Sequence, residues 1–516
     1  MNRFIESRRL RRGVILGLCC LLLLFVSVFT ASPTKAQKTL KVATEPAFPP
    51  FEFQGDGGEL VGFDIDLMKA IGSSAGFEVQ FQSLPFDGII PALQANTVDA
   101  AISSMTITAD REKAVDFSRP YFKAGLAIAI KADNKDVTSL DSLKNKNIAV
   151  QIGTTGAAEA KKIPGAKIRT FDSAPLALQE LVNGNVDAVI NDAPVTLYAI
   201  KTSNLQGIKV VEQLLTEEYY GIATPKRSPN LAAINKGLTT ILNNGTYEQI
   251  YQKWLNAKAP QLPDTLKFDN SKTASKPSSI ILNALPNLLR GALITLELTA
   301  LSVLLGMIGG SIIGIARLST LTPLRWLTRA YVDFFRGTPL LVQIFMIYFG
   351  LPALAEGFGV HFSLSRLAAA VIALSLNSAA YLAEIVRAGI QSIDIGQSEA
   401  AQSLGLGSVE TRRYVIFPQA IRRMLPPLGN EFITLLKDTS LVAVIGFEEL
   451  FRQGQLIVAN NFRPFEIYAA VALIYLVLTI LSSRAFGWLE TWMNPIHKSS
   501  KIKSQPARES SDSVSL

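Results

Sequence analysis

The chain has 516 residues, too many for one compact domain, and its 48% of hydrophobic residues are concentrated in particular regions. The net charge of +8 would suit a nucleic-acid-binding protein, but the chain has no basic stripe interleaved with aromatic residues. Many Arg and Lys residues instead flank apolar runs, as they do in membrane proteins. The composition therefore indicates a soluble part joined to a membrane part, with membrane lipid and no nucleic acid as a partner.

Residues 1–36 have the pattern of a secretory signal peptide. The basic run RRLRR precedes an apolar core from Val14 to Phe29, and Thr34-Lys35-Ala36 is a plausible cleavage site. The alternative is an uncleaved anchor helix, because the apolar run is near the upper length limit of a signal. Both cysteines, Cys19 and Cys20, fall within the apolar core, so removal of the signal would leave a chain without thiol chemistry.

Residues 38–260 alternate short β-rich runs with helical patterns. A first unit contains KTLKVAT, FDIDLMKAI and VDAAISS, and a second contains NIAVQI, LALQELVNG and VDAVIND. This alternation predicts an α/β fold with parallel sheets. Two such units predict two lobes with a cleft between them, where small ligands usually bind. The polar, aperiodic residues 261–279 predict a linker.

Residues 280–490 hold apolar segments that predict an all-α transmembrane domain of about five helices. The segments are Leu288–Ile315, Leu340–Leu354, Leu367–Ile385, Phe432–Ile445 and Ile467–Phe486. With an exported α/β domain, five spans place the Arg-rich loops and the tail, residues 491–516, in the cytoplasm, as the positive-inside rule requires. The short polar tail is expected to be disordered.

Two features inside the membrane segments predict helix contacts. Glu384 lies at apolar depth, where an ionised group needs a partner, and the default prediction is an ion pair with Arg387 one turn away. A role in the transport pathway is the alternative. Glycines at four-residue spacing predict close helix packing; they are Gly306, Gly310 and Gly314.

The segment GQSEAAQSLGLGSVETRRYVIFPQA, residues 396–420, lies between two apolar segments and has a specific pattern of small residues. It resembles the EAA loop of permease subunits of bacterial ATP-binding-cassette (ABC) importers, with mild departures at Val415 and Phe417. In that family the loop docks on the cytoplasmic ATPase, and small residues allow a close approach. The matching coupling residues are Glu399, Ala400, Ala401, Gly405 and Pro418.

Longer stretches narrow the resemblance. YVDFFRGTPLLVQIFMIYFGLP and LPPLGNEFITLLKDTSLVAVIG resemble polar amino-acid permeases, and VATEPAFPPFEF, SSMTITADREKAVDFSRPYF and QIGTTGAA resemble periplasmic amino-acid-binding proteins. The resemblance implies a type II bilobed binding protein fused to the permease subunit of a polar amino-acid importer of the His/Gln/Arg type. It further implies a multi-pass protein of the bacterial inner membrane, with the binding domain outside, the C-terminus in the cytoplasm, and a homodimeric or paired permease.

The same resemblance assigns the ligand contacts, which are Glu45, Phe48, Phe86, Ser104, Thr106, Arg111, Thr154, Thr155 and Asp192. Arg111 would take the α-carboxylate of an L-amino acid and Asp192 its ammonium group. Glu45 between two aromatic faces would favour basic amino acids or glutamine over acidic ones. Core packing is the alternative for each Phe, an ion pair with Asp110 for Arg111, and a helix cap for Asp192.

The expected mechanism is closure of the lobes about hinges near residues 125–130 and 219–224, followed by docking of the closed domain on its own permease. No GxxxxGK[ST] sequence is present, so ATP would be used by a separate ATPase subunit, and this chain is expected to bind no cofactor or metal and to have no catalytic residues.

The alternatives are a ligand-gated ion channel and an amino-acid sensor built on the same bilobed domain. A channel would interrupt this domain with pore segments, and a sensor would need a cytoplasmic signalling domain. An enzyme is disfavoured because the only histidines, His361 and His497, lie outside the α/β region.

Overall fold

The computed structural model describes residues 38–202, 207–211, 214–266, 277–360 and 362–493. The predicted signal peptide lies outside these residues, as do residues 267–276 of the predicted linker and residues 494–516 of the predicted tail.

Strands and helices alternate through the first half of the chain. In chain order, the first elements are β1 (Lys38–Thr44), β2 (Ala47–Phe48), β3 (Glu52–Gln54), β4 (Leu60–Val61), α1 (Phe63–Ala75), β5 (Phe77–Ser83), α2 (Phe86–Gln94), β6 (Ala100–Ala101), α3 (Ala109–Ala114), β7 (Asp116–Phe117) and β8 (Phe122–Ala124). The next are β9 (Leu126–Lys131), a 3₁₀ turn (Asp141–Leu143), β10 (Asn147–Gln151), α4 (Thr155–Ala160), β11 (Lys167–Phe171), α5 (Ala174–Val182), β12 (Ala188–Asp192), α6 (Ala193–Thr202), β13 (Ile208–Val210), β14 (Glu218–Tyr220), β15 (Ala223–Thr224), α7 (Asn230–Asn243) and α8 (Thr246–Leu255).

These elements form two lobes, each on a five-stranded sheet. The first lobe has strand order β5-β1-β6-β15-β7, and the second has β11-β10-β12-β9-β13. Strands β1 and β10 are parallel to their neighbours. Strands β9 and β15 run antiparallel to theirs, because the chain enters each of these two strands from the other lobe. The α/β prediction for this half is therefore correct.

The chain passes between the lobes in two paired strands. β8 and β14 are antiparallel, and the rings of Phe122 and Tyr220 stack across them with centroids 5.5 Å apart. The predicted hinge at residues 125–130 is displaced, because residues 126–130 form most of β9, which is buried within the second sheet. The crossing overlaps only the beginning of the second predicted hinge, residues 219–224.

The second half is helical. Its elements are α9 (Pro277–Ala316), α10 (Thr322–Gly337), α11 (Leu340–Phe345), a π-helical turn (Met346–Gly350), α12 (Leu351–Gly357), α13 (Arg366–Gln391), α14 (Ile395–Ser403), α15 (Ser408–Glu410), a π-helical turn (Thr411–Ile416), α16 (Phe417–Asp438), a 3₁₀ helix (Thr439–Ile445), α17 (Leu450–Asn461) and α18 (Pro464–Met493).

This half contains more helices than the predicted five, because short helices and helical turns join the long ones. Within the described residues, three stretches are long and apolar enough to cross a membrane: Ile280–Ala316, Arg366–Gln391 and Pro464–Met493. A fourth span results if α10 and the run Leu340–Ala355, which meet at a 106° bend, are counted together. The predicted segment Phe432–Ile445 is not one helix, since it combines the end of α16 with the following 3₁₀ helix.

The long helices pack closely where the glycines lie. A Cβ atom placed on Gly310 would be 2.7 Å from the Cβ of Leu382, and one on Gly314 would be 2.7 Å from the carbonyl oxygen of Ala383. Glycine therefore allows α9 to approach α13, as predicted. The predicted pair of Glu384 and Arg387 is confirmed at 2.7 Å, and Arg317 also contacts Glu384.

The second lobe rests on one end of this helical bundle. The Tyr348 hydroxyl donates to Oε2 of Glu180 at 2.8 Å, and both side chains are buried. Gly446, which follows the 3₁₀ helix with φ +70°, lies so close to the second lobe that a Cβ there would be 2.5 Å from the Thr170 carbonyl oxygen. The cleft of the α/β half lies next to α17, because residues of both line one cavity.

We expect Gly310→Ala to lower the stability of the membrane half by about 1–3 kcal/mol, because the added methyl group would push α9 away from α13. Thermal unfolding of the purified full chain in detergent measures this effect. Gly487→Ala is the matched control, since nothing lies within 4 Å of a Cβ at this α18 position. Equal shifts for the two variants would contradict the packing role of Gly310.

Candidate ligand-binding site

A narrow cavity lies between the two lobes and is lined by both. Its lining residues are Phe48, Phe86, Ser103, Ser104, Thr106, Arg111, Gln151, Thr154, Thr155, Asn191 and Asp192. All of the predicted ligand contacts except Glu45 are in this set, and Glu45 reaches it through Gln151, whose Nε2 donates to Oε2 of Glu45 at 2.7 Å. The structure thus brings the predicted residues together in one place.

Arg111 is held at the start of α3, on the first-lobe side of the cavity. The Thr108 side chain caps this helix and accepts from the Arg111 backbone N–H. The buried guanidinium donates to the Thr106 carbonyl at 2.6 Å and, across the cleft, to the Gly153 carbonyl at 2.9 Å. It also lies over the Phe86 ring, 5.3 Å from the centroid.

Burial lowers the pKa of Arg111 to about 10, although the charges of Glu218 and Asp192 oppose this shift. The guanidinium therefore remains protonated at neutral pH and can hold a carboxylate. The alternative partner, Asp110, instead pairs with Lys113 at 2.8 Å on the surface.

Asp192 ends strand β12 and faces the same cavity. Its Oδ2 accepts the Tyr220 hydroxyl at 2.5 Å. Burial raises the pKa of Asp192 to about 7, and the charge of Glu218 adds to this shift, whereas Tyr220 and Arg111 oppose it. A cation such as an ammonium group would favour the ionised form of this carboxyl group.

Glu218, in β14, connects the two lobes beside Asp192. Its Oε2 accepts the Thr106 hydroxyl at 2.6 Å from the first lobe and the Thr155 hydroxyl at 2.9 Å from the second. The Thr154 hydroxyl accepts from the backbone of Ala157 at the start of α4. Both predicted threonines of the second lobe are thereby fixed in place.

Glu45 lies at the other end of the cavity. Burial raises its pKa to about 8, and repulsion from Asp87 and Asp172 adds to the shift. Phe48 and Phe86 line the cavity and are also packed in the core of the first lobe. The predicted ligand contact and the alternative of core packing are therefore both compatible with their positions. Three acidic residues from the two lobes, Glu45, Asp87 and Asp172, therefore lie near one another at the end predicted to hold the ligand side chain.

Sequence reasoning missed several polar residues of the site. Gln151 ends strand β10 immediately before the predicted GTTG turn, and the carboxyl end of a parallel strand is a place where ligand contacts are expected. Ser103 accepts from the Glu45 backbone N–H and donates to Glu52 at 2.9 Å. Glu218 carried no sequence signal, because its position depends on the return of the chain between the lobes.

The predicted EAA loop is a second, separate site at the far end of the helical bundle. Glu399 and Ala400 are exposed, whereas Ala401 is buried. Gly405 ends α14 with φ +86°, a left-handed conformation that favours glycine. Pro418 lies in the first turn of α16. Large apolar side chains are exposed around these residues, namely Ile395, Leu404, Val409 and Tyr414.

Two protein-family models match the chain in succession. "Bacterial extracellular solute-binding proteins, family 3" matches residues 40–257, which contain the cleft. "Binding-protein-dependent transport system inner membrane component" matches residues 306–495, which contain the EAA loop. The order of the two matches is the order predicted from the motifs.

Individual proteins are similar to each part. The glutamine transport system permease protein GlnP of Escherichia coli (strain K12) is 44% identical over 215 residues, which are 42% of this chain and 96% of that protein. The arginine transport system permease protein ArtQ of Bacillus subtilis (strain 168) is 40% identical over 197 residues, 38% of this chain and 88% of that protein.

Among solved structures, an ancestral arginine-binding protein bound to arginine is 48% identical, with a TM-score of 0.41, over 42% of this chain and 98% of that chain. The matches to the two permeases extend over nearly the whole length of those proteins, and the match to the solute-binding family model extends over the two lobes. The chain therefore belongs to the inner-membrane components of binding-protein-dependent transport systems, as an amino-acid permease fused to an extracellular solute-binding domain of family 3.

Proposed function

We propose that this chain is the substrate-binding and permease component of an ATP-driven importer of polar L-amino acids, with basic amino acids and glutamine as the preferred ligands. The observation that carries the proposal is the cleft, in which Arg111 and Asp192 line one cavity from two lobes and Glu45 reaches it through Gln151. Each supplies a partner that a buried amino acid would need.

Arg111 and Asp192 suit the two charges of a free amino acid. Arg111 remains protonated despite its burial and presents a planar guanidinium to a carboxylate. Asp192 presents a carboxyl group that a nearby ammonium group would ionise. In the closed lobes, neutral groups such as the Gly153 carbonyl and the Tyr220 hydroxyl contact these side chains. A zwitterion would replace them with charged partners.

The side-chain end of the cavity supports a cationic or amide-bearing ligand. Glu45, Asp87 and Asp172 repel one another there, and a guanidinium, an ammonium or an amide NH₂ would relieve this repulsion. An acidic side chain would increase it. Two of the similar permeases carry glutamine and arginine in their names, which is the same ligand class.

The helix directions support the proposed orientation and number of spans. Helix α13 begins at Arg366, which bonds to Gly446 beside the second lobe, and ends just before the EAA loop. Its 26 residues extend for about 39 Å. Helix α16 returns from the EAA loop toward the lobes, so it acts as a further span despite its polar residues. The lobes would then face the periplasm, and the EAA loop and the C-terminus the cytoplasm.

A separate ATPase subunit is the partner that the exposed EAA loop requires. Leu404 and Val409 are 84% and 78% exposed, and apolar side chains grouped in this way mark interaction surfaces. ATP would be bound by that subunit, and we propose no cofactor for this chain. A second permease copy, or a related chain, would complete the transport pathway by analogy with the family.

We expect Arg111→Ala to weaken L-amino-acid binding by well over tenfold, because a buried carboxylate without its charge partner costs about 2–5 kcal/mol. Calorimetric titration of the full chain in detergent with each L-amino acid measures the effect and identifies the ligand. The matched control is Arg227→Ala, which removes an exposed arginine of the same lobe. Arginine, lysine, histidine or glutamine should bind the wild type. Preference for acidic amino acids would contradict the role of Glu45.

We expect Leu404→Asp to abolish uptake while leaving amino-acid binding and thermal stability unchanged, because the side chain contacts solvent in this chain and the ATPase in the assembly. Uptake of labelled amino acid by cells that express the chain with its ATPase measures the loss. Ser403→Ala, an exposed change on the same helix, is the control. Normal uptake by Leu404→Asp would argue against docking through this loop.

Closure of the ligand-free cleft should depend on pH. Burial in the closed cleft raises the pKa of Asp192 from 3.8 to about 7, so the closed form binds a proton that the open, solvated form releases. Closure is therefore favoured below the ordinary pKa and weakens by up to about tenfold per pH unit as the pH rises to about 7. Energy transfer between dyes on the two lobes of the full chain reports this change. Asp192→Asn should weaken this pH dependence and leave only the part that the raised pKa of Glu45 contributes, and an unchanged pH profile in that variant would refute the assignment.

A further inference from the structure

An arginine of the membrane half is buried in the second lobe. Arg452, in the first turn of α17, has no exposed surface. Its Nη1 contacts Oδ1 of Asp172 at 2.5 Å, and its Nη2 donates to the Thr170 carbonyl at 2.7 Å. Its Nε has no acceptor among the described residues. Only the arginine of this pair is fully buried, since the Asp172 side chain is 34% exposed. Desolvation of the guanidinium offsets much of the attraction, so stability alone does not explain its position.

Asp172 connects this arginine to the side-chain end of the ligand cavity. The Gln151 amide that donates to Glu45 at 2.7 Å also donates to the Asp172 carbonyl at 3.2 Å. Two residues of the second lobe therefore lie between Arg452 and the acidic residue that is proposed to select the ligand. The chain of contacts runs from the permease into the cleft.

The charge of Arg452 also reaches the first lobe. Burial and the charge of Asp172 raise the pKa of Asp87, and the charge of Arg452 opposes this rise. Asp87 and Asp172 in turn both act on Glu45. The acidic residues at this end of the cleft, Glu45, Asp87 and Asp172, thus form one electrostatic group to which the permease adds a positive charge. We call this group the acidic rim.

The rest of α17 lies across the cleft. A cavity of about 540 Å³ separates this helix from the ligand site, with Leu456 and Ala459 on one side and Arg111 and Glu218 on the other. The helix also contacts each lobe. Asn460 accepts from Lys161 of the second lobe at 3.1 Å, and Phe462, directly after the helix, packs against the apolar core of the first.

We propose that Arg452 is a positioning residue of transport, which anchors the permease to the closed binding domain and weakens the hold of the acidic rim on a cationic amino-acid side chain. The inference rests on the proposed function, because it takes a cationic amino acid as one ligand. A ligand cation beside Glu45 and the guanidinium of Arg452, which pairs with Asp172 and acts on Asp87, would then compete for the negative charge of one acidic rim. Docking therefore reduces the negative field that retains the ligand, so the ligand is released where the permease receives it.

A neutral ligand distinguishes this electrostatic effect of Arg452 on the acidic rim from simple anchoring of the lobe. Glutamine presents an amide to Glu45 and gains little from a more negative rim, whereas arginine gains a full charge interaction. Removal of the Arg452 charge should therefore change the ratio of the two affinities, and general loosening of the interface should change both affinities alike.

The test is calorimetric titration of the purified full chain with L-arginine and with L-glutamine, for the wild type and for Arg452→Gln. We expect arginine to bind the variant about tenfold more tightly, which corresponds to about 1.4 kcal/mol, and glutamine to change by less than about twofold. Arg452→Lys keeps the charge and should retain the wild-type ratio. Asn460→Ala removes a neutral α17 contact with the same lobe and should also retain it.

Arg452→Met provides a second neutral side chain of similar length if the Gln variant does not purify as a folded protein. An unchanged affinity ratio in the neutral variants, or a ratio that shifts equally in Arg452→Lys, would overturn this inference while leaving the proposed function intact. Failure of the wild-type chain to bind any amino acid would overturn the proposed function first, and this inference with it.

Discussion

Ionised groups that leave water need partners, and this constraint organises the whole cleft. Arg111 is buried against two carbonyl groups, Asp192 against the Tyr220 hydroxyl, and Glu45 against the Gln151 amide. Each partner is neutral, and burial shifts each of these three pKa values toward the uncharged form. A zwitterionic ligand would offer charged partners to Arg111 and Asp192, so it would stabilise the closed lobes more than the neutral groups of the protein can.

The same constraint joins the two halves of the chain. Glu180 of the second lobe is fully buried, and the Tyr348 hydroxyl of the membrane half is one of its partners. Conversely, Arg452 is a buried cation of the membrane half, and its acceptors include Asp172 and Thr170 of the second lobe.

The sequence predicts the parts of this structure that have local signatures. Strand and helix periodicity predicts the two lobes, and the resemblance of short motifs indicates Arg111 and Asp192 as ligand contacts and residues 396–420 as the EAA loop. Glu218 escapes prediction because its role depends on the distance between the lobes, which no local pattern encodes, whereas the carboxyl end of β10 is the signal that could have indicated Gln151. The helix number is wrong because short helices have no hydropathy signature. Helix α16 carries polar residues, such as Arg422 and Glu431, that interrupt its apolar pattern.

The contacts at Gly446 show how the two ends of the molecule are connected. This glycine lies against the Thr170 carbonyl of the second lobe, and its own carbonyl accepts the Arg366 guanidinium at the start of α13. It also follows the 3₁₀ helix that continues α16. Helices α13 and α16 flank the EAA loop at their other ends. Because helices transmit displacement along their axes with little compression, a shift of the second lobe at Thr170 would bear directly on the two helices that carry the loop. A shift of the second lobe and the proposed docking of an ATPase at the EAA loop would therefore act on the same pair of helices.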